Sequence, residues 1–456
     1  MTNNPDRVRL IKDANAGIAG AQVNLALSYL ADLNAFKQER SARLEEDPEV
    51  DKIKFEIKSW LERAKAQNFT EAYYLYALLN TRGIVHEPDR PAAEQDLFKA
   101  ESLGHPDATY QLGLLYCTWL EKHERFEAAM QAFETAAQKG HPDAKLALAY
   151  GYEHGIGGEK KPQDAWQIWC ELAEQGSDRA AFRVADALAE SNQHLTTALS
   201  LFEKAAGAQY PAAAARATSL KSAHPELSEA ESIDWQTVKA LQPLSDSALD
   251  VASLSDKPKV RRIANFLNAD ECSHIAISAL PHLKSSVVLD ASGQPMEKPI
   301  RTSEEMSFID PRRDLVICWL EQRIADYTGI PVTNGEPLVV LKYSPGKEYK
   351  IHADYFRPEL PSAKVAFEFG GQRIATFICY LNDVAKGGET AFPEVGIQVA
   401  PKQGAALLFY NVDDAGDIEP LSRHAGLPVE AGNKWIITRW LRERSLPTRS
   451  NEGGEA

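Results

Sequence analysis

The chain has 456 residues, 44% of them hydrophobic, with 65 acidic against 50 basic side chains and a formal net charge of −15. That length points to two or three domains, and the acidity argues against phosphate backbones and anionic bilayers as partners, so neither nucleic acid nor membrane is expected. No run of about 18 apolar residues occurs and the N-terminal "MTNNPDRVRLIKDANAG" lacks a signal-peptide apolar core, which predicts a soluble cytoplasmic protein.

The first 220 or so residues are rich in Ala, Leu and Glu, and they repeat. "NFTEAYYLYALL", "GHPDATYQLGLLY", "GHPDAKLALAYGY" and "GSDRAAFRVADAL" place Ala72, Ala108, Ala144 and Ala180 at a constant step of 36 residues. "AQYPAAAARATSL" continues the series at Ala212, and "GAQVNLALSYL" at Ala21 reads as a first copy followed by a charged insertion around residues 36–58. A fixed period in this range signals stacked units. Apolar residues at helical spacing in "AKLALAYGY" and "QDAWQIWCELAEQG" predict two helices per unit, with Gly140 and Gly176 ending helices where positive φ suits glycine. The pattern resembles Sel-one-like repeats, relatives of the tetratricopeptide family, most clearly over residues 132–180. The resemblance implies an array that binds protein partners and performs no chemistry; a plain helical spacer is the alternative.

Residues 223–256 mix Ser, Asp and Pro around one helical patch, Trp235–Leu241, and read as an interdomain linker. Beyond them helices are expected over about 270–280 and 313–328. Short β-rich runs follow: "PLVVLKY", "RIATFICYL", "GIQVAP", "GAALLFY" and "KWIITRWL". Many short strands after a few helices predict a small two-sheet sandwich or jelly roll with helices packed outside. The five cysteines, Cys117, Cys170, Cys272, Cys318 and Cys379, form no CxxC pair and predict buried free thiols.

Within this half, "YKIHADYF" sets His352 and Asp354 two residues apart, on one face of an extended strand. "LSRHAGLPVEAGNKWIITRWL" supplies His424 as a third ligand. Two histidines and a carboxylate form the facial triad of non-haem iron oxygenases, which leaves three coordination positions open. Lys434, ten residues after His424, falls on a core-facing strand position with Ile436, Thr438 and Trp440. A buried lysine there calls for an anion, and the distal carboxylate of 2-oxoglutarate is one; an ammonium in water at the strand edge is the alternative.

Residues 258–443 resemble the prolyl 4-hydroxylase family of Fe(II)/2-oxoglutarate dioxygenases. The resemblance rests, in order, on "RIANFLNADEC", "IRTSEEMSF", "VVLKYSPGKEYKIHADYF", "GGQRIATFICYLNDVAKGGETAFPEVGIQVAPKQGAALLFYN" and "RHAGLPVEAGNKWIITRWLRE". It implies a double-stranded β-helix that uses Fe(II), 2-oxoglutarate and O2, with ascorbate as reductant. It assigns His352, Asp354 and His424 to iron and Lys434 to the cosubstrate's distal carboxylate. Tyr343 matches a tyrosine that hydrogen-bonds the cosubstrate, or is a core aromatic, and Thr376 adds a hydroxyl near the same carboxylate. Arg373 and Trp440 match positions near the substrate, or are a structural arginine and a packing tryptophan. "GGET", ending at Thr390, reads as a tight turn rather than a ligand site. Related halogenases lack the carboxylate, so Asp354 favours hydroxylation. Residues 285–303 occupy the place of a substrate-covering loop, or form a plain surface loop.

The expectation is therefore a multidomain protein. It has an all-α solenoid of helix pairs at 1–222, a linker at 223–256, a dioxygenase domain with flanking helices at 257–446 and a disordered tail at 447–456. The expected activity is hydroxylation of a peptidyl proline in a protein substrate recruited by the repeats. Hydroxylation of a free amino acid or another side chain, and a repeat scaffold carrying a sensor or remnant oxygenase domain, are the alternatives.

Overall fold

The computed structural model describes residues 5–39, 47–84, 87–122, 124–207, 210–228, 232–242, 244, 248–286 and 301–446. The expected tail, and residues 287–300 of the expected covering loop, lie outside the described residues. The chain forms two compact units, Met1–Leu148 and Ala149–Thr448. Among the described residues no helix is long and apolar enough to cross a membrane, and all five cysteines are buried free thiols.

The repeats are helix pairs: α1 (Pro5–Asn15), α2 (Ala19–Glu39), α3 (Pro48–Lys65), α4 (Thr70–Thr81), α5 (Arg90–Ser102), α6 (Ala108–Thr118), α7 (Arg125–Gln138), α8 (Pro142–His154), α9 (Pro162–Glu174), α10 (Asp178–Glu190), α11 (Leu195–Gly207) and α12 (Pro211–Ala223). Ala72, Ala108, Ala144 and Ala180 are each fully buried, because a methyl group at these positions lets neighbouring helices approach. Gly104, Gly140 and Gly176 end helices at φ of +86°, +88° and +97°, where a Cβ would be strained. The 36-residue step also holds between side chains in the first unit. Tyr74 stacks on His105 at 3.9 Å and His105 reaches Glu71 at 3.2 Å; one repeat on, Tyr110 stacks on His141 at 4.4 Å and His141 reaches Asp107 at 3.3 Å. The described residues of the segment expected as a charged insertion are largely helical. α3 starts at Pro48, and Val50, Ile53 and Ile57 bury one stripe of it while its charges face outward.

In the second unit α13 (Trp235–Lys239) docks on α9, with Trp166 Nε1 donating to Val238 O at 2.9 Å and Gln167 Nε2 to Lys239 O at 2.6 Å. The strands are β1 (Asp250–Asp256), β2 (Lys259–Ala264), β3 (Lys284–Ser285), β4 (Glu304–Ser307), β5 (Val339–Tyr343), β6 (Tyr349–His352), β7 (Arg373–Tyr380), β8 (Lys386–Gly387), β9 (Thr390–Phe392), β10 (Ile397–Val399), β11 (Ala406–Tyr410), β12 (His424–Gly426), β13 (Val429–Ala431) and β14 (Lys434–Arg442). An eight-stranded sheet runs β1-β2-β11-β7-β14-β5-β4-β3, and a four-stranded sheet runs β10-β9-β12-β6. Tyr343, Tyr380, Phe392, Phe409 and Ile436 fill the space between the sheets. The outer face of the large sheet is covered by α14 (Ala269–Ala279) and α15 (Leu315–Thr328), through Cys272, Ile275, Ile317 and Ile324 against Phe377 and Ile437. This is the expected double-stranded β-helix with flanking helices.

The linker expected at 223–256 thus contains two ordered elements, α13 and the edge strand β1. The helices before it also hold the start of α14. Arg179 of α10 pairs bidentately with Asp270, its Nη2 2.8 Å from Oδ2, and Tyr150 OH donates to Glu271 Oε1 at 2.6 Å. Asp270 and Glu271 are each 1% exposed. Glu271 also completes a capping box with Asn268 and accepts from Arg323 at 2.5 Å.

Candidate metal centre

The small sheet brings the two histidines together. β12 and β6 are antiparallel and His424 pairs directly with His352. Their Nδ1 atoms lie 3.1 Å from Ser422 O and 2.8 Å from Lys350 O. A carbonyl only accepts, so each Nδ1 carries a proton and each ring turns Nε2 toward Asp354. β6 ends at His352, so Asp354 sits in the following bend rather than on the strand as expected. It still converges: His352 Nε2 is 3.6 Å from Oδ1 and His424 Nε2 is 3.7 Å from Oδ2. Ligand atoms of the three residues all lie within 4.8 Å of one another.

The protonation states suit a cation. Burial, then the neighbouring His352, brings His424 down to about 4, so it is neutral near pH 7. Burial alone would raise Asp354, but the imidazoles of His424 and His352 outweigh it and hold the carboxyl well below the usual carboxylate range. Two imidazoles and one carboxylate, with outer hydrogen bonds fixing both rings, fit a divalent first-row metal such as Fe(II).

Lys434 opens β14, is 3% exposed, and faces the inter-sheet space with Ile436 and Trp440, as the alternation predicts. Among the described residues it has no ion-pair partner. Burial pushes its ammonium down to about 8, partly opposed by Glu389. Its Nζ lies 5.7 Å from the ring of Tyr343, its register partner on β5, and 5.9 Å from that of Tyr380. A Cβ built on Gly426 would stand 3.7 Å from Nζ. Gly426 is two residues along β12 from His424, about 7 Å, so a free cation sits one short dicarboxylate's length from the ligand cluster.

Thr376 lies elsewhere. It pairs with Trp440, six residues and about 20 Å along β14 from Lys434. Its hydroxyl donates to Asp354 Oδ2 at 2.7 Å, so it belongs to the carboxylate ligand and not to the lysine end as expected. Arg373 is pinned bidentately on Glu336, both contacts 2.7 Å, and its guanidinium lies 4.3 Å from the Trp440 ring and 4.8 Å from that of Phe356. Glu336 also accepts from Arg442 Nη1 at 3.0 Å, so the two guanidiniums share one carboxylate. Trp440 is half-buried, and its indole N–H has no hydrogen-bond partner among the described residues.

Three features escaped sequence reasoning. Thr390 is not in a turn: it starts β9, buried, accepting from Tyr380 OH at 2.8 Å beside the lysine, while Gly387 ends β8 and both Gly387 and Gly388 take φ of +76°. Tyr349 stacks on His352 at 3.4 Å and 13°. Asn411 Nδ2 donates to Thr376 Oγ1 at 3.1 Å.

Comparison with known proteins agrees with this geometry. The family model of the 2OG-Fe(II) oxygenase superfamily matches residues 338–442. Prolyl 4-hydroxylase 5 of Arabidopsis thaliana is 39% identical over 211 residues, covering 42% of this chain and 70% of its own length. Among solved structures, the viral collagen prolyl hydroxylase of Paramecium Bursaria Chlorella virus-1 is 26% identical, covering 41% of this chain and 98% of that one, at a TM-score of 0.33. A Sel1 repeat protein from Oxalobacter formigenes is 24% identical, covering 44% and 77%, at a TM-score of 0.34. At those TM-scores the two structures add no weight; the sequence match to the plant enzyme and the family model carry the assignment. The chain belongs to the prolyl 4-hydroxylase family of 2OG-Fe(II) oxygenases.

Proposed function

We propose that the protein hydroxylates a peptidyl proline in a protein substrate that its helical repeats recruit, with His352, Asp354 and His424 holding Fe(II) and Lys434 holding 2-oxoglutarate. The observation that carries the reading is the pairing of two features in one inter-sheet space. One is a convergent His-Asp-His cluster; the other is a buried ammonium with no ion-pair partner among the described residues. Bound iron with 2-oxoglutarate supplies the oxidising power that puts one oxygen atom of O2 into a C–H bond while the cosubstrate loses CO2 to become succinate.

The chain's own residues bind, orient and exclude water. His352 and His424 offer Nε2 because backbone carbonyls hold Nδ1–H. Lys434 fixes the far carboxylate of the cosubstrate, with Tyr343 and the Tyr380–Thr390 pair walling that end. Trp440, braced by Arg373, walls the other end and keeps an indole N–H for a ligand. Ascorbate would serve as the reductant for the bound iron. The repeats favour a protein substrate over a free amino acid, since a small metabolite needs no docking surface. The test is the full chain with Fe(II), 2-oxoglutarate and O2, given a proline-containing peptide or a cell lysate, with mass spectrometry seeking one added oxygen on proline. Oxygen gained only on free amino acids, or on residues other than proline, overturns the substrate assignment.

Lys434→Ala raises the 2-oxoglutarate dissociation constant while metal binding persists. Loss of one buried charge-assisted partner costs roughly 2–5 kcal/mol, or about 30-fold to several thousand-fold in affinity. Titration of cosubstrate against the metal-loaded protein reads this directly, and an unchanged constant places the lysine outside the site.

The pH dependence follows from the same residue. The ammonium is charged below about 8 in the folded protein without cosubstrate. Above that, an arriving carboxylate must be met by proton uptake, so 2-oxoglutarate affinity falls as pH rises through about 8. Stability without cosubstrate moves the other way. Lysine's folded value near 8 lies below its ordinary 10.5, so the unfolded chain binds more protons in that window and stability rises from about pH 8 to 10.5. An affinity flat from pH 7 to 9 contradicts the assignment.

A further inference from the structure

The large sheet also reaches the ligand cluster, and does so through two polar side chains that the metal-binding reading leaves without a role. Thr376 on β7 and Asn411, just past the end of β11, are 1% and 0% exposed. Phe409 pairs with Thr376 across the two strands, and Asn411 N donates to Ile374 O at 2.9 Å, so both residues point to the inter-sheet side. Thr376 Oγ1 lies 2.7 Å from Asp354 Oδ2 and 3.1 Å from Asn411 Nδ2.

The direction of these bonds can be deduced. Thr376 Oγ1 donates to Asp354 Oδ2, which uses the single hydroxyl proton. The hydroxyl oxygen must then accept from its other neighbour, which fixes the Asn411 amide with its NH2 toward Thr376. The flipped amide would set two acceptors face to face. In the fixed orientation Asn411 Oδ1 has no hydrogen-bond partner among the described residues. Buried polar atoms are rarely left so, so Asn411 is held there by what its amide hydrogens do.

We propose that Asn411 and Thr376 are positioning residues that engage Oδ2 of Asp354 and so present its Oδ1 alone to the metal. This rests on the reading of His352, Asp354 and His424 as the ligands. The relay has a chemical consequence. A carboxylate that binds through both oxygens takes two coordination positions and leaves two; held to one oxygen, it leaves three. Three are what a chelating 2-oxo acid and O2 require together. The pair thus keeps a position open for O2, and does so from the large sheet, while the histidines come from the small one. Neither residue touches a reacting atom, so each acts through Asp354.

The test uses the full chain. Thr376→Val keeps shape and β-branching and removes the hydroxyl; Thr376→Ser restores the hydroxyl. Anaerobic titration with Fe(II), and with Co(II) as an air-stable probe, gives metal affinity. The charge-transfer absorption of the anaerobic Fe(II)–2-oxoglutarate complex reports ligand geometry, and succinate formed per proline hydroxylated reports coupling. Thr376→Val is expected to weaken metal binding by about 10–100-fold, as loss of outer hydrogen-bond partners does, to shift the absorption band, and to raise uncoupled succinate formation. Thr376→Ser is expected to recover most of each. Asn411→Ala removes a buried side chain that carries no charge, and is expected to show the same pattern to a smaller degree.

Wild-type affinity and an unshifted band in Thr376→Val overturn the proposal. If that variant does not fold, the same wild-type values in Asn411→Ala overturn it. Asp354→Ala separates the two readings. If it loses the metal while Thr376→Val and Asn411→Ala do not, only the positioning role fails. If it binds metal like wild type, the ligand assignment fails.

Discussion

Asp354→Ala and His424→Ala each reduce 2-oxoglutarate turnover to background while the protein stays folded. Both side chains are nearly fully buried, at 6% and 4% exposure; Asp354 stands outside the apolar packing that joins the two sheets, and His424 lies at its border, 4.5 Å from the Phe409 ring and 5.7 Å from that of Phe392. Removing Asp354 takes away the only acidic group of the cluster and the acceptor of the Thr376 hydroxyl. Two imidazoles alone hold a divalent ion weakly, so the loss exceeds the about 10–100-fold attached to an outer hydrogen-bond partner. For Asp354→Ala stability moves by no more than about 2 kcal/mol, because one hydrogen bond is lost and a buried charge leaves with it. Anaerobic Fe(II) titration, succinate formation and a thermal melt measure the three effects. Succinate released at the wild-type rate by either variant would show that the metal is held elsewhere.

The parts of the site legible in the sequence were those set by short spacing along one strand or by a charge in an apolar run. His352 and Asp354 lie two residues apart. Lys434 opens the mostly apolar run "KWIITRWL", and its alternation with Ile436 and Trp440 holds in the structure. What escaped depends on irregularity or on partners distant in sequence. Tyr349 and His352 are three residues apart, so strict alternation puts them on opposite faces. The register between β6 and β12 shifts, however, His424 pairing with His352 and Gly426 with Tyr349. Three steps on one strand thus match two on the other, and this bulge turns the tyrosine onto the histidine's face. Thr376 was assigned to the wrong end of the site because its position along the sheet is set by pairing with Trp440, which a linear reading does not reveal. Asn411 carries no sequence signal at all, since its partner Thr376 lies 35 residues away. The repeats were the easiest feature, because a 36-residue period survives any local irregularity. Where that period was interrupted, at α3, a charged surface hid a buried stripe.

Arg179→Ala destabilises the second unit by about 3–5 kcal/mol, although Arg179 belongs to a repeat helix and Asp270 to the oxygenase fold. Asp270 is 1% exposed, and Arg179 grips both of its oxygens at 2.8–3.2 Å. Tyr210 OH, at 3.5 Å, is too far to replace it. Truncation leaves a carboxylate buried and uncompensated, which is far costlier than removing the pair as a whole. The double variant Arg179→Met/Asp270→Leu therefore recovers most of the loss, whereas two unconnected sites would add. In a thermal melt the single variant falls on the order of 5–15 °C and the double variant much less. The same contacts decide where the chain can be cut. A boundary near residue 223 removes Arg179 and Tyr150, the partners of Asp270 and Glu271 at the start of α14, together with the α9 surface on which α13 docks. A fragment beginning at Ala149 keeps all of them. Fragments 149–448 and 224–448 are thus expected to differ in the direction of the Arg179→Ala effect, the shorter one melting lower. Equal melting temperatures for Arg179→Ala and wild type would mean that the oxygenase fold stands without its neighbouring repeats.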